Sequence, residues 1–122
     1  MGANVSWRQE DGIILVQEHG EVTEQDFARS VDEIRRLSME RECPRVLADT
    51  TRQTTPTSAS SLYERGAHVA TQLQVLDLRL AILVEDRLRE PHEFFENVAV
   101  NRGLKVQVFR DETAALDWLR SP

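Results

Sequence analysis

The sequence predicts an α/β fold with a mostly parallel sheet, and three observations carry that prediction. Short apolar runs ("IILVQ", "RVLAD", "LRLAILV" and "LKVQV") alternate with stretches whose apolar residues recur every three or four positions. Strands separated by helices are joined by crossovers, which pair them in parallel. Just before the first of these runs, Asp11-Gly12 is a hairpin signal, so an antiparallel strand is expected at the N-terminal edge. The expected order is β-β-α-β-α-β-α-β-α, and 122 residues fit one domain spanning 1–122.

Each element has its own signal. Val5, Trp7 and Gln9 alternate loosely as a first strand, and Ile13 to Glu18 form the second, which Gly20 ends. Thr23 fits a helix N-cap. Asp26 stands three residues on, where a capping box usually carries Glu or Gln. Phe27, Val31, Ile34 and Leu37 then mark one amphipathic helix, with Arg29, Asp32, Glu33 and Arg36 between them. "RVLADT" reads as a short buried strand. Leu62, Gly66, Val69, Ala70, Leu73 and Leu76 give a second helical face, and "LRLAILVE" the most apolar strand. Pro91 fits the first turn of a third helix and Gly103 its C-terminal cap, with Phe94, Phe95, Val98 and Ala99 on the buried side. "LKVQVF" is the last strand, and Asp111 caps a last helix that turns Ala115, Leu116 and Leu119 inward.

Composition narrows function. A net charge of −6 repels phosphate backbones, and the basic "IRRLSMER" is interleaved with Asp32, Glu33 and Glu40, so no nucleic-acid partner is expected. No apolar run is long enough to span a bilayer, so no stable membrane insertion is expected. The opening "MGANVSWRQEDG" lacks a basic stretch followed by an apolar one, so no signal peptide is expected. Gly2 and Ser6 match the bare myristoylation pattern, but a strand starting at Val5 argues against it. Cys43 is alone, which suits a reducing, cytoplasmic location. There is no Gly-x-Ser-x-Gly elbow, Gly-rich phosphate loop, His-x-x-His or Cys-x-x-Cys, and His19, His68 and His92 stand in unrelated contexts. No catalytic residue, metal or cofactor is expected. Asp49 and Asp86 at strand ends invite comparison with phosphoacceptor receiver domains, but the acidic pair and the lysine that chemistry needs are missing.

The segment "VLADTTRQTTPTSASSLYERG" is the main functional candidate. Read structurally, Thr57 or Ser58 caps the second helix, Pro56 fixes the turn, and Thr50, Thr51 and Thr54 bond to the loop backbone. Alternatively, Ser58, Ser60 or Ser61 accepts a phosphate, which a helix N-terminus tolerates. A third reading is ligand binding beyond the strand ends, in a cleft of Asp49, Thr51, Arg52, Asp86 and Arg87. Phe94 and Phe95 are adjacent on one helix and cannot both point fully inward, so either one projects into a groove or a partner surface or both lie on a broad buried side.

Four stretches carry a family resemblance: Gly20-Glu21-Val22-Thr23 followed by Asp26, "RVLADTT", "LRLAILVED", and "GLKVQVFRDETAALDWL" with its Ala-Leu-x-Trp-Leu pattern. Through them the chain resembles the STAS fold, and more closely its SpoIIAA-like branch of small bacterial proteins. That resemblance implies a non-enzymatic regulatory domain that docks on a kinase-like anti-sigma factor and is switched by phosphorylation of one serine. The antagonist motif Asp-Ser-Ser/Thr-Gly/Ala-Leu corresponds to Ala59-Ser60-Ser61-Leu62, with Ala59 in place of Asp and no small residue after the serines. The residues implied are Asp49, Thr57, Ser58, Ser60 and Ser61, and the implied partner is another protein or a second copy of this chain. Similarity to CRAL-TRIO lipid carriers implies an alternative: a carrier or sensor of a small apolar or acidic ligand, held between the second and third helices by Tyr63, Arg87, Phe94 and Phe95.

Overall fold

The computed structural model describes residues 2–54 and 57–122. The strands are β1 (Ala3–Arg8), β2 (Ile13–Gly20), β3 (Arg45–Gln53), β4 (Arg79–Leu83) and β5 (Lys105–Phe109). The helices are α1 (Glu24–Arg41), α2 (Ala59–Leu73), α3 (Arg89–Asn101) and α4 (Glu112–Arg120). The strands lie in the sheet in chain order, with β1 antiparallel to β2 and all other pairs parallel. Each crossover therefore steps in the same direction. Right-handed crossovers that all step one way stack their helices on one face.

The core follows from that. Ile14, Val16, Val46, Ala48, Leu80 and Ile82 point to the α1–α3 face. The alternate residues Ile13, Leu47, Ala81 and Leu83 pack against Ala115 and Leu119 of α4 on the other face. α4 is free to take that face because no strand follows it in the sheet.

Several boundaries differ from the sequence reading. β3 runs on to Gln53 after a register irregularity between Gln17 and His19, so Arg52 pairs with His19 and Gln53 with Gly20. The threonines of "DTTRQ" are β-branched and suit a strand, and β2 supplies a partner there. α2 stops at Leu73, and Leu76 belongs to a 3₁₀ turn that closes on Asp77 at φ 49. β1 begins two residues before Val5, and β4 is shorter than its apolar run. Pro56 lies outside the described residues.

The shortened capping box is complete. Asp26 N–H donates to Thr23 Oγ1 at 3.0 Å, and Thr23 N–H donates to Asp26 Oδ2 at 3.2 Å. Asp26 also receives Arg29 at 3.1 Å and Gly2 N–H at 3.3 Å. Led by the Thr23 backbone bond, these contacts hold its carboxyl down at about 2.

α2 and α3 meet at Gly66. A Cβ there would sit 2.9 Å from both Cβ and Cγ1 of Val98 and 3.3 Å from the Phe95 carbonyl oxygen. Gly66→Ala is expected to lower stability by about 1 kcal/mol net, because overpacking costs about 1–3 kcal/mol against roughly 1 kcal/mol gained in helix propensity. Urea unfolding should show a lower midpoint with an unchanged slope. A higher midpoint would mean that the helices can separate freely.

Candidate functional site

The hydroxyl-rich segment divides its work. Ser58 is the N-cap of α2: its Oγ accepts the Ser61 N–H at 3.3 Å and lies 3.5 Å from Ser60 Oγ. Ser58 and Ser60 are exposed and Ser61 is half-buried. Thr57 does not cap the helix; its hydroxyl accepts from Arg65 Nη1 at 3.2 Å. Thr50 is buried and donates to the Leu83 carbonyl at 2.8 Å, tying β3 to β4.

Other sequence candidates scatter. Asp49 lies inside β3, one residue out of phase with Ala48 and Thr50, so it belongs to the α4 side of the sheet, away from α2. Its Oδ1 accepts from Thr51 N–H at 3.0 Å and Thr51 Oγ1 at 2.6 Å. The expected strand-end cleft is two separate depressions. Asp49 and Arg52 share one with Gln17 and His19, while Thr51, Asp86 and Arg87 share another with Arg110. Arg87 donates to the Gln53 carbonyl and to Glu85. Tyr63 is exposed and pairs with Arg102, whose Nη2 donates to its hydroxyl at 2.6 Å.

The adjacent phenylalanines split. Phe95 turns inward and meets Phe27 edge-on at 6.3 Å, while Phe94 is 40% exposed. Phe94 lines a shallow groove with Ala59, Leu62 and Pro91, beside the serines that open α2.

The most developed internal feature is one the sequence reading missed. A cavity of about 60 Å³ lies between the sheet and α1–α3, near the C-terminal ends of β2 and β3. Its walls include Val16, Val31, Ile34, Val69, Ile82 and Phe95, and its polar groups include Glu18, Gln53, Arg65 and His92. His92 Nε2 lies 3.0 Å from Gln53 Oε1, and both residues are buried. Burial pushes the imidazole down to about 4, with Arg65 adding to the effect. Arg65 is anchored in three directions: Nε to Glu24 at 2.8 Å, Nη2 to the Val22 carbonyl at 2.7 Å, and Nη1 to Thr57. Its guanidinium also lies 5.2 Å from the centre of the Phe27 ring.

Glu18 differs from these. Its carboxyl has no hydrogen-bond or ion-pair partner among the described residues. The residue is half-buried and also borders the outer depression with Asn4 and Arg52, and partial loss of water around the carboxyl pushes its pKa up to about 7 against the opposing pull of Arg65. A signal for these residues was present. Glu18 falls in phase with Ile14 and Val16, Arg65 lies three after Leu62 and four before Val69, and His92 lies three before Phe95. Each is a polar residue at an apolar-face position.

Comparison with known proteins places the architecture. No family model and no curated protein matches the sequence. Over 96% of its length the chain superposes on 91% of a DUF3478-family protein from Shewanella loihica PV-4, described as having a SpoIIAA-like fold, with TM-score 0.63 and 19% identity. This fold is SpoIIAA-like. The anti-sigma factor antagonist SpoIIAA in its unphosphorylated form is similar over 98% of this chain and 99% of its own, with TM-score 0.62 and 13% identity. The order of elements, the antiparallel first strand and the sheet all agree with the resemblance read from the sequence. Among the described residues, no helix is long and apolar enough to cross a membrane, and no group of three or more His, Cys, Asp or Glu is placed to hold a metal ion.

Proposed function

We propose that this chain is a non-enzymatic regulatory domain that binds another protein through the start of α2 and the groove beside it. One observation carries the reading: Ser58 and Ser60 stand exposed near a shallow groove lined by Ala59, Leu62, Pro91 and the exposed ring of Phe94, with Glu90, Glu93 and Asn97 as its polar members. Exposed aromatics in such settings are common anchors of protein interfaces. A phosphate on Ser58 or Ser60 would put about −1.5 to −2 charge at the rim of that groove, enough to change which partner it accepts. SpoIIAA, an anti-sigma factor antagonist of similar fold, lends the reading its class.

The test starts with the protein isolated from its own host. Phosphopeptide mapping should find a phosphoryl group between Ser58 and Ser61, and a partner should co-purify. With that partner in hand, Phe94→Ala is expected to cost about 1–2 kcal/mol, roughly tenfold in affinity, and Ser60→Asp to weaken binding as well. A partner that binds both variants as tightly as the unmodified chain does would remove the groove from the reading.

A second reading has its own observation. The cavity beside Phe95 is of the kind a carrier or sensor needs, and it holds an unpaired carboxyl. Its 60 Å³ is small against the roughly 300–1,000 Å³ of ordinary ligand pockets, so it suits only a small molecule.

A further inference from the structure

We propose that the cavity is the inner end of the groove at Phe94, closed off by Leu62 and Thr57, and that it receives an aliphatic side chain of the docked partner. The inference rests on the docking reading above and names the anchor that the partner brings.

Shared walls carry it. Leu62 and Thr57 line both the cavity and the groove, so only the thickness of these side chains separates the two spaces. The neighbouring rings repeat the arrangement: Phe95 lines the cavity, and Phe94, the residue before it on α3, lines the groove. The partition stands where the chain opens most readily. Leu62 is 6% exposed but lies in the first turn of α2, and helix ends fray before helix centres do. Among the described residues, the Thr57 side chain is held by one bond, from Arg65 Nη1 at 3.2 Å, which is longer than the 2.7–2.8 Å contacts Arg65 makes elsewhere.

The polar groups of the cavity do not select an occupant. Arg65 Nη1, the Gln53 amide and the Thr57 hydroxyl keep hydrogens to donate, and Glu18 also borders the outer depression with Asn4 and Arg52, so water can serve that end. The way in selects instead. A group entering from the groove passes Leu62 and Phe95, and Val31, Ile34, Val69 and Ile82 are among the walls beyond. An aliphatic group gains by leaving water on that path, whereas a charged or amide group gives up its hydration.

Size decides between a free ligand and a tethered one. At about 12 Å³ per water-sized position, a cavity of about 60 Å³ admits about five heavy atoms, enough for the branched end of a leucine or isoleucine side chain. Ordinary ligand pockets hold roughly 300–1,000 Å³, so an occupant this small needs most of its contacts outside the cavity. The groove supplies them: the Phe94 ring for apolar contact, and Glu90 and Asn97 as acceptors for backbone N–H groups of the attached segment. Partner side chains that fill a pocket in this way are the usual energetic centres of an interface.

The experiment compares N-acetyl-leucine methylamide with N-acetyl-alanine methylamide on the full chain, by two-dimensional NMR with assigned amide and methyl resonances. The leucine compound is expected to shift Ala59 and Phe94 in the groove together with Val31, Val69 and Ile82 in the cavity. The alanine compound should bind about tenfold more weakly and leave the cavity resonances in place. Leu62→Ala should tighten the leucine compound about tenfold, because binding no longer has to open the partition. The comparison of the two compounds on the unmodified chain needs no variant, so it decides the matter even where Leu62→Ala folds poorly. If the leucine compound shifts the groove alone, the partition is fixed; the inference falls and the docking reading stands. Cavity shifts without groove shifts would mean a different entrance and would overturn the inference equally. If neither compound shifts any of these resonances the inference falls as well, and the docking reading is then decided by the partner's affinity for Phe94→Ala.

Discussion

Glu18→Gln is expected to stabilise the protein by about 2–3 kcal/mol at pH 8 and to change little at pH 4, each pH unit of displacement being worth about 1.4 kcal/mol and solvent at the half-buried carboxyl screening part of it. The sign follows from the proton count. The carboxyl ionises near 4.5 in an unfolded chain and near 7 in the folded one. Between those values the folded state keeps a proton that the unfolded state has released. Stability therefore falls as pH rises from 4.5 to 7 and levels off above. Glutamine resembles the protonated acid and carries no such cost.

His92 acts in the opposite sense. Its imidazole, pushed from 6.5 to about 4, must be charged in acid, so stability is lost as pH falls through that range. From 4.5 to 6.5 the two slopes oppose each other, and the unmodified protein should be nearly indifferent to pH there. Glu18→Gln removes one slope and leaves a curve that climbs with pH up to 6.5. Urea unfolding of both proteins at pH 4, 5.5, 7 and 8 measures this directly. A stability difference that stays constant across the four would show that Glu18 is solvated like a surface carboxylate.

Arg65→Leu is expected to lower stability by about 3 kcal/mol, near the lower end of the range for breaking a buried charge pair. The side chain is 8% exposed, but Glu24, its ionic partner, is 60% exposed and can return to water when the guanidinium is gone. What cannot be replaced is the bond to the Val22 carbonyl at 2.7 Å and the contact with the Phe27 ring. Arg65→Lys should recover only part of the loss, because one ammonium cannot serve Glu24, Val22 and Thr57 in the directions a planar guanidinium does. Full recovery with lysine would mean that charge alone matters at this position. Arg65 also opposes the rise in the Glu18 pKa, so the two sites are coupled. Adding Glu18→Gln to Arg65→Leu should restore more stability than Glu18→Gln adds to the unmodified protein at pH 8, and a double-mutant cycle reads that difference.

The expectation of an acidic ligand stands differently once the site is seen. It named one arginine, Arg87, in a groove between the second and third helices. Arg87 instead holds the Gln53 carbonyl and Glu85 at the surface, and Arg65, the arginine that lines the cavity, bonds to Glu24, Val22 and Thr57 and keeps one Nη1 hydrogen unspent.

Local signals determined the elements. Thr23, Ser58 and Asp111 each stop a helix from extending backward because a side-chain oxygen satisfies an N–H of the first turn. Alternation in β2 to β5 set the two faces of the sheet, whereas helical spacing left open whether Phe94 joins Phe95 on the buried side, and the packing turned it out. The caps and the alternation depend on neighbours within a few residues, so one chain read in order contains them. The strand-end cleft and the Asp49–serine grouping were different in kind. They assumed that residues near one end of the sheet share one side, whereas a single step along β3 moves Asp49 to the opposite face from α2. The cavity depended on distance in space. Glu18, Gln53, Arg65 and His92 come from two strands and two helices, spread over 75 residues of chain, and crossovers that all step the same way bring them to one side of the sheet. Only that packing decides that Arg65 finds three partners while Glu18 finds none among the described residues.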